Sequence, residues 1–178
     1  FNSLYLNFEN ADWTFNKNKV KENNLSSIAS LISNEVFKLT PIIHNELVVR
    51  DRLSGMSMNG ATILLNRVFK NSNLKNLGME GNPSEFGIYL SLIKSNNLHI
   101  KKGDEYAISI ENTKNKSIKI IYDEFLKLIK GSKEAVNVSD IYAHFVKQPY
   151  GIKIGLLPIL IGIFFKATEA SCAFYNKD

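Results

Sequence analysis

The densest group of side chains capable of chemistry lies between residues 44 and 52. It consists of His44, Asn45, Glu46, Arg50 and Arg52. An imidazole, a carboxylate and two guanidinium groups in one short segment could move a proton or bind an anionic group. The same residues could instead form a hydrogen-bonded contact between two helices, with an arginine paired to a carboxylate. We therefore predict a polar interaction site at these five residues and favour the structural contact over a catalytic centre.

The remaining reactive side chains do not form a recognised catalytic or metal-binding pattern. None of the histidines His44, His99 and His144 lies in an HxxxH or HExxH spacing. The single cysteine, Cys172, stands in an apolar context typical of a buried thiol, and one cysteine allows no disulfide within the chain. The sequence has no GxSxG elbow and no Gly-Lys-Ser/Thr phosphate loop. We predict no catalytic residue, no metal, no cofactor and no enzymatic activity for this chain.

The element that must organise the fold is the apolar run from Ile152 to Phe165, which follows the turn formed by residues 148–151. A membrane span needs about 20 predominantly apolar residues, and this run is shorter and flanked by lysines. We therefore predict a buried core helix, with a membrane-surface or membrane-inserted segment as the alternative. Pro158 is expected to kink this helix. Pro149 and Gly151 favour a chain reversal just before it.

Length, composition and charge are those of an ordinary globular protein. The 178 residues fit one domain, with 44% hydrophobic and 22% charged residues. The net charge of +5 permits an acidic partner without requiring one. The sequence begins at Phe1 and not at Met, which we interpret as an excised fragment or a processed product, and it shows no signal-peptide pattern. The single cysteine fits a reducing, cytoplasmic setting.

Hydrophobic periodicity predicts a mainly α fold with a few short β-strands, arranged as a helical bundle. Residues 1–24 are expected to form an N-terminal extension with short strands at 4–8 and 13–15 and a loop at 17–19, and residues 25–178 to form the helical domain. Within that domain the predicted helices span residues 25–35, 57–69, 83–94, 118–129, 141–146 and the apolar run. Predicted strands span 98–100, 106–110, 136–138 and 171–175, and Thr40 and Pro41 are expected to begin either a helix or a short turn. Ser26 or Ser27 is expected to cap the first helix and Ser139-Asp140 the fifth.

The order strand, helix, tight turn, helix, strand predicts a winged-helix-like segment at about 118–178. A DNA-recognition helix presents polar and basic side chains to bases and phosphates. The helix after Gly151 offers only Lys153 and Lys166 among apolar residues. We therefore interpret this segment as a packing motif and keep a winged-helix nucleic-acid-binding module as the alternative function.

Three short stretches carry a resemblance to a known family. They are Thr40-Pro41-Ile42-Ile43-His44-Asn45-Glu46-Leu47, Leu77-Gly78-Met79-Glu80-Gly81 and Pro149-Tyr150-Gly151-Ile152-Lys153-Ile154-Gly155-Leu156-Leu157-Pro158. In order and spacing they resemble the region downstream of the P-loop module in very large bacterial ATPases, similar to the ATPase components of BREX-type phage-defence operons. The resemblance covers about residues 28–175.

This resemblance implies a non-catalytic structural or interaction segment of a larger ATPase, in phage defence or associated with DNA. Its partners would be other domains or subunits of that ATPase, with nucleic acid as a further possibility and no membrane. The family's Walker A residues have no counterpart here, so no nucleotide site is transferred to this chain. An enzyme of unknown class would need a site assembled from His44, Asn45, Glu46 and Arg50.

Overall fold

The structure is a computed structural model that describes residues 13–20, 24–132 and 134–173. Over these residues the protein is mainly helical with two small antiparallel hairpins, which confirms the predicted fold class. The chain forms two compact units, residues 1–38 and 39–178.

The first unit contains one hairpin and one helix among its described residues. Strands β1 (Thr14–Phe15) and β2 (Asn18–Lys19) pair across a turn in which Asn16 and Lys17 have positive φ. The prediction of a loop over 17–19 is therefore wrong for Asn18–Lys19, and the predicted strand at 4–8 lies outside the described residues. Helix α1 (Leu25–Val36) is capped by the side chain of Asn24, which accepts a hydrogen bond from the Ser26 backbone amide, so the predicted serine cap is also wrong.

The second unit contains five helices and one hairpin among its described residues. The helices are α2 (Gly55–Lys70), α3 (Phe86–Ile88), which continues as a π-helix over Tyr89–Lys94, α4 (Lys116–Gly131), α5 (Val138–Val146) and α6 (Leu157–Thr168). A short 3₁₀ helix spans Lys75–Gly78. Strands β3 (His99–Lys102) and β4 (Glu105–Ile108) form the hairpin, with Ile100 opposite Ala107.

Helix α6 lies in the centre of this unit, which confirms the prediction of a buried core helix. Leu157, Ile159, Leu160, Ile163 and Phe164 are all buried. Their burial against α2, α4 and β4 supplies much of the hydrophobic stabilisation of the second unit.

Proline does not kink α6 as predicted. The helix begins at Leu157, so Pro158 lies in its first turn, where the missing amide would have no intrahelical partner. Before it, the chain reverses at the predicted turn, with a cis peptide between Gln148 and Pro149 and a positive φ at Gly151.

The last part of the chain shares only its helix order with the predicted winged helix. Helices α4, α5 and α6 follow one another as expected. The predicted strand at 136–138 is wrong, because Asn137 caps α5 and Val138 is its first residue. Of the predicted strand at 171–175, residues 171–173 have no strand conformation and the rest lie outside the described residues. The wing therefore stays a prediction.

Candidate functional site

The predicted polar site lies in a loop, residues 39–54, at the start of the second unit and directly before helix α2. Thr40 and Pro41 begin neither a helix nor a turn. The loop has no regular secondary structure and turns at residues 46–48. Its internal hydrogen bonds are local, for example Val49 N to Asn45 O at 3.0 Å. The shape of the loop must therefore be held by contacts with the rest of the second unit.

The beginning of the loop is attached to the turn before α6. The Leu39 amide donates to Pro149 O at 3.1 Å, and the Thr40 hydroxyl donates to Tyr150 O. These bonds join residues about 110 positions apart in the chain. Thr40 therefore caps no helix and instead anchors the loop.

The end of the loop is attached a second time to the same segment. The Gly155 amide donates to Arg50 O at 2.8 Å, and Lys153 Nζ lies 2.8 Å from Asp51 Oδ2. A Cβ on Gly155 would lie only 2.8 Å from the backbone oxygens of both Arg50 and Val48. Only glycine allows the two backbones to come this close.

Asn45 fixes the middle of the loop and is not free for a ligand. Its Oδ1 accepts from the Leu47 amide at 2.9 Å, which closes an Asx turn. Its Nδ2 donates to Ser91 Oγ at 2.8 Å, which attaches the loop to the π-helix. Asn45 is therefore a positioning residue for the loop.

The other four predicted site residues, His44, Glu46, Arg50 and Arg52, are exposed. Arg50 and Glu46 approach to 3.8 Å with side chains 54% and 96% exposed, so the pair is weak. Because none of the five residues lies in a helix, the interpretation as a helix–helix contact is wrong.

The five residues do not surround one enclosed cavity. His44, Asn45, Glu46 and Arg50 border an open groove of about 470 Å³, whereas Arg52 lies outside it. The groove is open to water, so it lacks the water-excluded surroundings that strengthen electrostatic interactions in a closed site.

Exposed apolar side chains lie in this polar loop and beside it. Ile42 is 74% exposed, Leu47 50% and Ile154 52%. The Asn115 side chain donates to Ile42 O at 3.4 Å, which places the first residues of α4 beside Ile42. The loop therefore presents apolar and cationic side chains together.

The sequence prediction missed a buried polar chain around His99. His99 Nε2 lies 2.9 Å from Ser72 O, which can only accept, so Nε2 carries the proton and Nδ1 accepts from Tyr89 OH at 3.0 Å. Burial lowers the pKa of His99. Burial, with Tyr106 nearby, raises the pKa of Tyr89 to about 12. His99 is therefore neutral and has a structural role.

An ion pair and a contact between a histidine and a carboxylate also join elements of the second unit. Arg67 Nε on α2 donates to Glu85 Oε1 at 2.8 Å, and the Glu85 side chain is only 3% exposed. His144 Nε2 on α5 lies 3.4 Å from Glu124 Oε1 on α4, without hydrogen-bond geometry. Burial, with Glu124 nearby, raises the pKa of Tyr150, whose ring lies beside that of His144. Only pairing in three dimensions reveals these partners, because each pair is well separated in the chain.

The described residues hold no cluster of three His, Cys, Asp or Glu side chains that could bind a metal ion. None of the helices that the structure describes is both long enough and apolar enough to cross a bilayer. Comparison with protein-family models, curated proteins and solved structures gave no match to this chain. Inference about function must therefore start from the loop and its surroundings.

Proposed function

We propose that this chain is a non-catalytic interaction segment of a larger bacterial P-loop ATPase of the phage-defence type. It acts in the cytoplasm through contacts with other domains or subunits of that ATPase. The parent class is taken from the resemblance of the three stretches described above, and the interaction role from the geometry of the loop.

The observation that carries the proposal is that two of these three stretches meet in space. The stretch from Thr40 to Leu47 is anchored to the stretch from Pro149 to Pro158 by the Thr40 hydroxyl, which donates to Tyr150 O. The amide of the preceding residue, Leu39, donates to Pro149 O. The result is a fixed loop whose outward side chains include Ile42, Leu47 and Ile154. Fixing an apolar loop so firmly at the surface is typical of a contact with another protein surface.

The placement of the reactive side chains supports a non-catalytic role. Asn45 and His99 are engaged in hydrogen bonds that hold the fold, and Glu85 is paired with Arg67. His44 and Glu46 are exposed to water and border only an open groove.

Helix α6, which would be the recognition helix of the winged-helix alternative, is buried in this arrangement. A helix that enters the major groove needs a solvent-facing side. Helix α6 instead buries Leu160, Ile161 and Phe164 in the core. Nucleic acid could bind only through another surface.

The proposal is tested first in the parent gene. A Walker A sequence, GxxxxGK[ST], in the same reading frame before the codon of Phe1 is expected, and a complete parent gene without one would overturn the ATPase assignment. The isolated chain is expected to hydrolyse no ATP, and turnover by the purified chain would contradict a non-catalytic role.

A DNA titration separates the proposal from its alternative. Fluorescence anisotropy with a labelled duplex is measured between about 50 and 200 mM salt, over which a protein contacting many phosphates loses orders of magnitude in affinity. We expect weak or absent binding. Tight binding with a steep salt slope would favour the nucleic-acid-binding module instead.

A further inference from the structure

We infer that the loop binds an acidic segment of a partner protein that also carries apolar side chains. This inference rests on the proposed interaction role. The docking surface consists of the loop and the residues beside it, and we name it the loop surface: Ile42, Leu47, Arg50, Arg52, Lys116 and Ile154.

The apolar part of the loop surface consists of three side chains that are well exposed to water. Ile42, Leu47 and Ile154 are each half exposed or more. Ile42 is joined to the start of α4 through Asn115, and Ile154 precedes Gly155, whose amide is bonded to the loop. A partner that covers these side chains removes apolar area from water, which drives association.

The cationic part of the loop surface gives the partner its charge. Arg52 and Lys116 are exposed and have no acidic partner among the residues that the structure describes. Lys114 and Lys119, on either side of the same helix start, are likewise exposed and unpaired within the described ranges.

The nearby carboxylates neutralise only part of this charge. Glu46 lies beside Arg50, and Asp51 is bonded to Lys153. The loop, Lys153 beside it and the start of α4 therefore carry six cationic side chains, Arg50, Arg52, Lys114, Lys116, Lys119 and Lys153, against the two carboxylates of the loop. Opposite charge on the partner steers association and selects against basic partners.

The loop is also held in position before binding. Thr40 and Arg50 are hydrogen-bonded to the segment before α6, and Asn45 is hydrogen-bonded to the π-helix. A preorganised loop loses little conformational freedom when it binds, so more of the contact energy contributes to affinity.

The mixture of side chains favours protein over nucleic acid. Phosphate contacts come from basic and polar groups, and single-stranded bases stack on aromatic rings. The loop surface has no aromatic member, and half of its members are aliphatic. The buried part of a protein–protein interface is more apolar than the rest of the surface and is enriched in arginine, which fits this mixture.

The experiment measures binding of short labelled peptides to the full chain by fluorescence anisotropy. One probe is an amphipathic helix of leucine and glutamate, the second has lysine in place of each glutamate, and the third is polyglutamate without leucine. We expect the leucine–glutamate peptide to bind at least about tenfold more tightly than either control peptide, which corresponds to about 1.4 kcal/mol.

Variants locate the site. The double substitution Arg52→Glu and Lys116→Glu is expected to weaken the leucine–glutamate peptide at least about tenfold, and Ile42→Ser several-fold. The matched control makes the same charge change at Lys101 and Lys102, two exposed lysines of the β3–β4 hairpin, and should leave affinity unchanged. Circular dichroism checks that each variant is folded.

Four results would overturn the inference. These are no binding of the leucine–glutamate peptide, equal binding of the lysine peptide, an equal loss in the hairpin control, and tighter binding of duplex DNA than of any peptide. The parent-gene test is independent of all four. A missing Walker A sequence would refute the ATPase assignment even if the acidic peptide binds as expected. A failure of the acidic peptide to bind would refute the docking inference even if the parent gene contains a Walker A sequence.

Discussion

Replacing Gly155 with alanine puts a methyl group between two backbone segments that lie almost in contact. The new Cβ would lie 2.8 Å from the backbone oxygens of Arg50 and Val48 and would overlap the Leu53 side chain. Backbone oxygens cannot rotate away as a side-chain end can. The loop must therefore move, and the hydrogen bond from the Gly155 amide to Arg50 O lengthens or breaks.

The structure sets the size of the effect. Overpacking a filled site costs about 1–3 kcal/mol. Loss of one backbone hydrogen bond adds about 0.5–1.5 kcal/mol. We therefore expect Gly155→Ala to lower the free energy of unfolding by about 1.5–4.5 kcal/mol. In a chain of this length each kcal/mol lowers Tm by about 2–4 °C.

Gly162→Ala and Gly60→Ala are matched controls within helices. The Cβ of Gly162 would meet only the Leu65 side chain, and that of Gly60 would lie 3.6 Å from Ile88 Cδ1, an ordinary contact. Alanine is favoured over glycine in a helix by about 0.8–1 kcal/mol. We expect Gly60→Ala to be stabilising by that amount and Gly162→Ala to change stability little, since Leu65 must rotate.

Urea denaturation followed by circular dichroism gives all three free energies. If Gly155→Ala is as stable as Gly162→Ala, the close approach between loop and turn does not exist in solution. The attachment of the loop would then have to be abandoned, and the loop surface with it.

Other predictions follow from the buried polar groups. Arg67→Ala leaves the Glu85 carboxylate buried without its partner and should cost about 3 kcal/mol by urea denaturation, part of which Glu85→Gln recovers in the double variant. Tyr89→Phe removes the hydroxyl that donates to His99 and should cost about 1–3 kcal/mol in the same assay. Because burial lowers the pKa of folded His99, the unfolded chain binds a proton first as the pH falls. The stability that His99 contributes is thus complete above about pH 6.5 and is lost as the pH falls through its lowered folded pKa. His99→Gln should flatten the pH dependence of unfolding below about pH 6.5, and an unchanged slope would contradict the buried neutral assignment.

Sequence periodicity was sufficient to locate the helices and the β3–β4 hairpin. The apolar run predicted α6 because so many neighbouring apolar side chains have to be buried, and this requirement follows from composition alone. The starts of helices were less accurate. Asn24 and Asn137, not the serines after them, are the caps, because several neighbouring residue types can accept the same amide bond.

The arrangement of the candidate site could not be predicted from local sequence. The five polar residues were identified together, but their environment is set by Tyr150 and Gly155, about 100 residues later. Local patterns carry no information about such pairing. For the same reason the sequence does not reveal the partners of Glu85 and His99. The strand predicted over Val136-Asn137-Val138 is a separate, local error, since Val138 begins a helix.

The attachment of the loop by the turn before α6 has a consequence for synthesis. A ribosome releases Thr40 long before Tyr150 and Gly155, so the early segment must wait for most of the second unit to be made. Contacts between distant residues form late because the intervening chain has to be ordered first. Throughout that interval Ile42 and Leu47 lie on an unshaped segment, exposed to chaperones and proteases. A truncated product that ends before residue 149 would contain every residue of the polar site and none of its shape.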